Sequence, residues 1–165
     1  MLADFQRLRQ HLPDEDDIDL IILKGHLLLE ESLERIIRTI VAQGDLLKND
    51  LLSFYQKAWL ARAMSWSQHR GKLWDLILTL NTLRNALVHH LEPPEFDAKV
   101  KAFLASASTD YGPSGLREEI RNSPVPDQLR HAIVVLMGFL GSCEQDARAY
   151  RKAVGGLYTV GAGDA

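Results

Sequence analysis

Cysteine occurs once in the 165 residues, at Cys143. A single thiol excludes an internal disulfide and a zinc site built on paired cysteines, and it fits a reducing compartment such as the cytoplasm. Long apolar runs are also missing. The most apolar stretch, Ala132 to Cys143, is far shorter than the roughly 20 residues that cross a bilayer, so it reads as a buried helix and no membrane partner is expected. The amino-terminal segment carries Asp4 and the run Asp14-Glu15-Asp16-Asp17, not the basic, apolar and small-residue succession of a secretory signal. Sustained period-2 alternation is absent, so no strand is expected. A basic excess is absent too: the net charge of −3 and pI near 6.1 argue against a general nucleic-acid coat.

Acid is missing locally as well. From Phe54 to Trp74 there are Lys57, Arg62, Arg70 and Lys72, with His69, and no Asp or Glu. The middle third is therefore basic, as a solvated helix face or an anion-facing surface would be. Trp59, Trp66 and Trp74 fall where two helices should meet, which favours core packing over base stacking. The lone Cys143 lies in an apolar run and reads as an inert core thiol.

What is present is helical periodicity punctuated by Gly and Pro. A short helix is expected from Ala3 to His11, ending before Pro13. Asp16 or Asp17 caps the next, which runs to about Ala42 with Gly44 as its stop. Its stripe of Ile18, Ile22, Leu29, Leu33, Ile36, Ile37 and Ile40, widened by Leu20, Leu23 and Leu27, marks it as central. A third helix is expected from about Asn49 to Met64, and a fourth from about His69 to Leu91, closed by Pro93-Pro94. Glu95 to Ala105 is amphipathic, Ser106 to Ser114 reads as a loop, and a short helix fits Leu116 to Arg121. Pro124 and Pro126 break the chain before Asp127, which caps a last long helix reaching about Val154. The sum is an all-α fold, an up-and-down four-helix bundle with short additional helices: one domain over residues 1–157, then a disordered tail at 158–165.

One cation stands out. On the fourth helix Leu73, Leu76, Ile77, Leu80, Leu83, Leu87, Val88 and Leu91 share one broad face, and Arg84 lands near its middle. A guanidinium cannot shed its charge, so it must meet a carboxylate, carbonyls, a partner or a phosphate. Asn85 and His89 follow at i and i+4 on an adjacent face. The bland alternative is a structural arginine paired with Glu30 or Glu31 on a neighbouring helix, with Asn85 and His89 terminating the helix. His26, on the apolar stripe beside Gly25, reads as a satisfied core histidine.

The stretch Leu80-Asn81-Thr82-Leu83-Arg84-Asn85-Ala86-Leu87-Val88-His89 resembles the signature of the HEPN superfamily (higher eukaryotes and prokaryotes nucleotide-binding), an Arg, a polar residue and a His at a helix terminus. Leu27-Leu28-Leu29-Glu30-Glu31-Ser32-Leu33-Glu34 and the Phe54, Lys57, Leu60-Ala61 spacing are similar to its mannitol-operon-repressor-like branch. The resemblance covers roughly residues 18 to 92 and leaves 93 to 165 without a signature. It implies a metal-independent endoribonuclease, a toxin or defence effector, with Arg84, Asn85 and His89 catalytic and Glu30, Glu31, His90 and Lys57 in support. His89 would move the proton, Arg84 would hold the phosphate and Asn85 would orient either. No metal or cofactor is implied. The implied partners are RNA, a second copy of the chain and, by analogy, an antitoxin or a nucleotidyltransferase-like protein. Some members of the superfamily keep the fold and part of the motif but act as interaction or regulatory modules, so the alternative function is a non-catalytic helical interaction or regulatory module of the same fold, mannitol-repressor-like. Arg84 and His89 stand about 140° apart on an ideal helix, so they converge only if the last turn distorts or a second chain contributes.

Overall fold

The computed structural model describes residues 2–47, 51–65, 71–108 and 114–159. Among them the chain is helical, with no strand: α1 (Leu2–His11), α2 (Ile18–Ile40), α3 (Phe54–Ala63), α4 (Gly71–His89), α5 (Phe96–Ala107), α6 (Ser114–Arg121) and α7 (Val125–Thr159), plus a 3₁₀ turn at Gly44–Leu46.

Local chemistry sets the ends. Asp17 caps α2, its carboxylate accepting from the Leu20 amide at 3.0 Å. The helix stops at Ile40, and Gly44 sits in the following 3₁₀ turn, where a Cβ would strike the Arg38 carbonyl. The third helix begins at Phe54, later than Asn49, because Ser53 and Gln56 form a reciprocal capping box there. Residues 48–50, and likewise Trp66 and His69, lie outside the described residues. Of the stretch expected as a loop, Ser106 and Ala107 are still helical and Ser114 opens α6. The last helix starts at Val125, not after Asp127. Its first turn tolerates Pro126 because amides there have no intrahelical acceptor to lose. It also continues to Thr159, so residues 158 and 159 of the expected tail are helical and 160–165 lie outside the described residues.

Contacts between helices fix their directions. Gly25 packs against Ile133, Ser32 donates to Met137 Sδ at 3.5 Å, Arg35 pairs with Glu144 at 3.2 Å, and Arg151 donates to the Thr39 carbonyl at 3.0 Å. Residue numbers rise together, so α2 and α7 run parallel. Phe54 lies against His26 and Ser65 near Cys143, which gives α3 the same sense. Asn81 meets His26 while Trp74 meets Phe139, so α4 runs the other way. The strictly alternating up-and-down order therefore fails between α2 and α3. The 13 residues from Val41 to Ser53 are enough to carry the chain back along α2: about 3.3 Å per extended residue against 1.5 Å per helical one.

Ile21, Ile22, Leu29, Leu33, Ile36 and Ile37 of α2 are buried against α4 and α7, each worth about 1.5–3 kcal/mol over exposure. The expected widening of that stripe stops short, since Leu27 is exposed and Leu28 is buried in its place. On α4, Leu76, Ile77, Leu80 and Leu83 are buried, but Val88 is 52% exposed; the helix ends at His89, short of the expected Leu91, which is fully exposed just beyond it. The physical reason is the start of α3. Phe54 and Asn81 both touch His26, so α4's last two turns project past the first turn of α3 and lose that neighbour. No helix among the described residues is long and apolar enough to cross a membrane.

Candidate functional site

Arg84 lies in those last two turns and is half-buried. Its Nη1 donates to Asn85 Oδ1 at 3.3 Å, and no described carboxylate pairs with it. The acids proposed for it are engaged elsewhere. Glu30 accepts from Lys57 Nζ at 2.7 Å, together with Glu34, and Glu31 pairs with Arg7 at 2.7 Å. A structural arginine bonded to Glu30 or Glu31 is thus not what the fold contains. The guanidinium leans on a neutral amide alone, which leaves most of its donors open to another acceptor.

His89 and His90 are exposed at the end of α4. The helix is regular there, the His90 amide donating to the Ala86 carbonyl at 3.1 Å. A distorted final turn is therefore not the device that would bring His89 round to Arg84. Arg84 and Asn85 meet; His89 points to a different side of the same helix.

Lys57 is a structural cation. Burial works against its charge, but hydrogen bonds and attraction from Glu30 and Glu34 outweigh that and raise its pKa above the ordinary lysine value. It ties α3 to α2 and does not touch Arg84. Phe54 and Lys57 on α3 meet His26, Glu30 and Glu34 on α2 and thus form one helix-to-helix contact.

His26 is the core histidine its place on the apolar stripe implies, but only one of its ring nitrogens is satisfied. It is buried at 3% exposure, stacked on Phe54 with centroids 4.1 Å apart, and its Nε2 lies 3.0 Å from Asn81 Oδ1. With the carboxamide oxygen as acceptor the proton sits on Nε2, and Nδ1 is left buried without a hydrogen-bond partner, 4.0 Å from Glu30 Oε2. Desolvation lowers its pKa, and the charges of Arg84 and Lys57 add to that. The Asn81 bond and Glu30 oppose them. Burial therefore favours the neutral imidazole. The sequence signal for it was the His26, Glu30 pair at i and i+4.

The expected tryptophan core holds for Trp74, which packs edge-on against Phe139 at 5.1 Å. It fails for Trp59, which is 44% exposed. Phe54, Lys57, Ala58 and Ala61 make the inner face of α3, and Trp59 sits about 140° round from Phe54. Trp66 lies outside the described residues. No group of three or more His, Cys, Asp and Glu residues is gathered as a metal ion would require, among the described residues. Comparison with protein-family models, curated proteins and solved structures finds no match to this chain.

Proposed function

We propose that the chain is a HEPN-like protein, built on a four-helix core of α2, α3, α4 and α7, that cleaves RNA without a metal ion. The observation that carries this reading is Arg84: a half-buried cation without a described carboxylate partner, beside Asn85, one turn before two exposed imidazoles. Such a guanidinium suits a phosphate, which fills two donors at once. His89 takes the proton from a ribose 2′-hydroxyl. The freed oxygen attacks phosphorus, the P–O5′ bond breaks, and the leaving oxygen takes a proton from a second imidazole or water. Arg84 offsets the charge that builds on the non-bridging oxygens.

Because the end of α4 is regular, this reading takes Arg84 and His89 of one site from two copies of the chain. Val88, about 40° round the helix from Arg84, and Leu91, just beyond the helix end, are the exposed apolar residues a second copy would cover. The test is cleavage of single-stranded RNA in EDTA by wild type, Arg84→Ala and His89→Ala, with circular dichroism as the folding check. Cleavage lost in both folded variants supports the reading. Wild-type protein that never cleaves RNA overturns it, and would favour a non-catalytic interaction module using the same exposed Val88 and Leu91.

A further inference from the structure

The outer side of α3 carries three neighbouring groups that neither the core nor the Arg84 site uses. Tyr55 is 55% exposed and Trp59 44% exposed, and their rings meet edge-to-face with centroids 6.1 Å apart. The Arg62 guanidinium lies 5.0 Å over the Trp59 ring and its Nη1 donates to Asp75 Oδ1 at 2.9 Å, which turns this side of α3 toward α4. Aromatic rings cost free energy when left in water, so two held open and ordered on one helix face are a surface awaiting a ligand.

Charge selects the ligand. The helix has no acid, and its flanking sequence from Leu51 to Trp74 has none. The glutamates of the adjoining helix that reach α3, Glu30 and Glu34, are turned onto Lys57 on the buried face of α3, away from Tyr55 and Trp59. Asp75, the acid at the edge of the aromatic pair, is held by Arg62. In a chain of net charge −3 the aromatic face is thus a place where a polyanion meets little repulsion. Exposed rings with an arginine beside them and no fixed hydrogen-bonding pattern suit the faces of unpaired bases.

Position agrees. His26 sets Phe54 level with Asn81, and the Arg62–Asp75 pair sets the far end of α3 level with Asp75. Tyr55 and Trp59 therefore flank the part of α4 that leads directly to Arg84 and Asn85.

We infer that Tyr55, Trp59 and Arg62 form a stacking surface for the bases of a single-stranded RNA, leading the strand along α3 toward the end of α4. The destination rests on the ribonuclease reading; the binding does not. The probe is a fluorescein-labelled 2′-O-methyl oligoribonucleotide, which binds but lacks the attacking hydroxyl, followed by anisotropy. Trp59→Ala and Tyr55→Ala should each weaken binding by about 5-fold or more, as loss of one base–ring stack does, while Trp59→Phe keeps most of the affinity. Tyr55 and Trp59 are exposed, so the variants should keep the wild-type helical signal, and Ala63→Ser at the exposed far end of the same helix should bind as wild type. Unchanged affinity in both alanine variants overturns the surface. So does a change of oligomeric state in Trp59→Ala with RNA affinity intact, which would make the face a protein interface. Failure of the two readings is distinguishable: binding that depends on Trp59 in a protein that never cuts natural RNA sinks the nuclease alone, and cleavage with Trp59-independent binding sinks the stacking surface alone.

Discussion

His26 Nε2 lies 3.0 Å from Asn81 Oδ1, and this one bond joins the middle of α2 to the start of α4's exposed end. Its cost is the opposite ring nitrogen, buried with no hydrogen-bond partner. An orphaned polar atom in the interior is worth about 1–3 kcal/mol against stability, so the contact is retained for what it positions as much as for what it adds. Asn81 is one turn before Arg84 and Asn85, and the ring that holds Asn81 also stacks on the first residue of α3.

The same ring gives the fold a pH dependence. The His26 pKa is lowered by burial, and His131 is lowered by burial too. Below about pH 6.5 the unfolded chain takes up protons at these positions before the folded one does. The unfolded state then binds more protons, so stability rises with pH through this window and is lost as pH falls from the ordinary imidazole value toward the lowered native ones. Urea midpoints at pH 7.5 and 5.5 should show a drop toward acid that is smaller in His26→Phe, with His131 supplying the remainder. An identical drop in wild type and His26→Phe would dismiss this account.

Lys57 anchors α3 through two carboxylates. Removing the ammonium leaves Glu30 and Glu34 facing each other across the space it filled. Breaking a fully buried pair costs about 3–5 kcal/mol, and the partial exposure of both glutamates lowers the expectation for Lys57→Met to about 2–3 kcal/mol. The triple change Lys57→Met, Glu30→Gln, Glu34→Gln should recover part of that loss, because no unpaired charge remains. Denaturant unfolding of the two variants is the measurement. A triple variant less stable than Lys57→Met would show that the ion cluster adds stability beyond charge neutralisation.

Gly25 of α2 packs directly on Ile133 of α7, and a Cβ there would overlap Ile133 Cδ1 and Cγ1. Alanine favours a helix over glycine by about 1 kcal/mol, while overpacking a tight core costs about 1–3 kcal/mol. Ile133 is fully buried and both its Cδ1 and Cγ1 fall inside contact distance, so the steric effect should win. Gly25→Ala is expected to lower the melting temperature, and Gly25→Ala with Ile133→Val to restore it toward wild type. A single variant more stable than wild type would mean that Ile133 moves aside at little cost.

The helices were legible because their apolar spacing and caps are local. Asp17, Ser53 and the apolar stripe of α2 announce themselves within a few residues. What escaped depended on contacts between distant segments. Nothing near Trp59 says that the inner face of α3 is narrow, made of Phe54, Lys57, Ala58 and Ala61, and leaves a tryptophan outside. Nothing near Glu30 says that Lys57 rather than Arg84 will claim it. The sense of α3 was hidden for the same reason, since the residues after α2 can either turn at once or return along it. Arg84 was legible because its cost is independent of the fold: a guanidinium on an apolar face needs a partner wherever that face ends up.

Complementation in trans tests how Arg84 and His89 cooperate. They are five residues apart on a helix whose last amide bond is regular, so they point about 140° apart and one chain cannot bring both to one phosphate. If each site takes Arg84 from one copy and His89 from the other, Arg84→Ala and His89→Ala proteins are each inactive, yet a heterodimer of the two keeps one intact site. Random pairing in an equal mixture makes half the dimers mixed, each with one of its two sites working, so about a quarter of wild-type cleavage should return. Exchange of subunits by brief dilution and reconcentration, followed by RNA cleavage in EDTA, provides the measurement. Two folded single variants that stay inactive when mixed, although mass spectrometry shows the mixed dimer, would place both residues of a site on one chain.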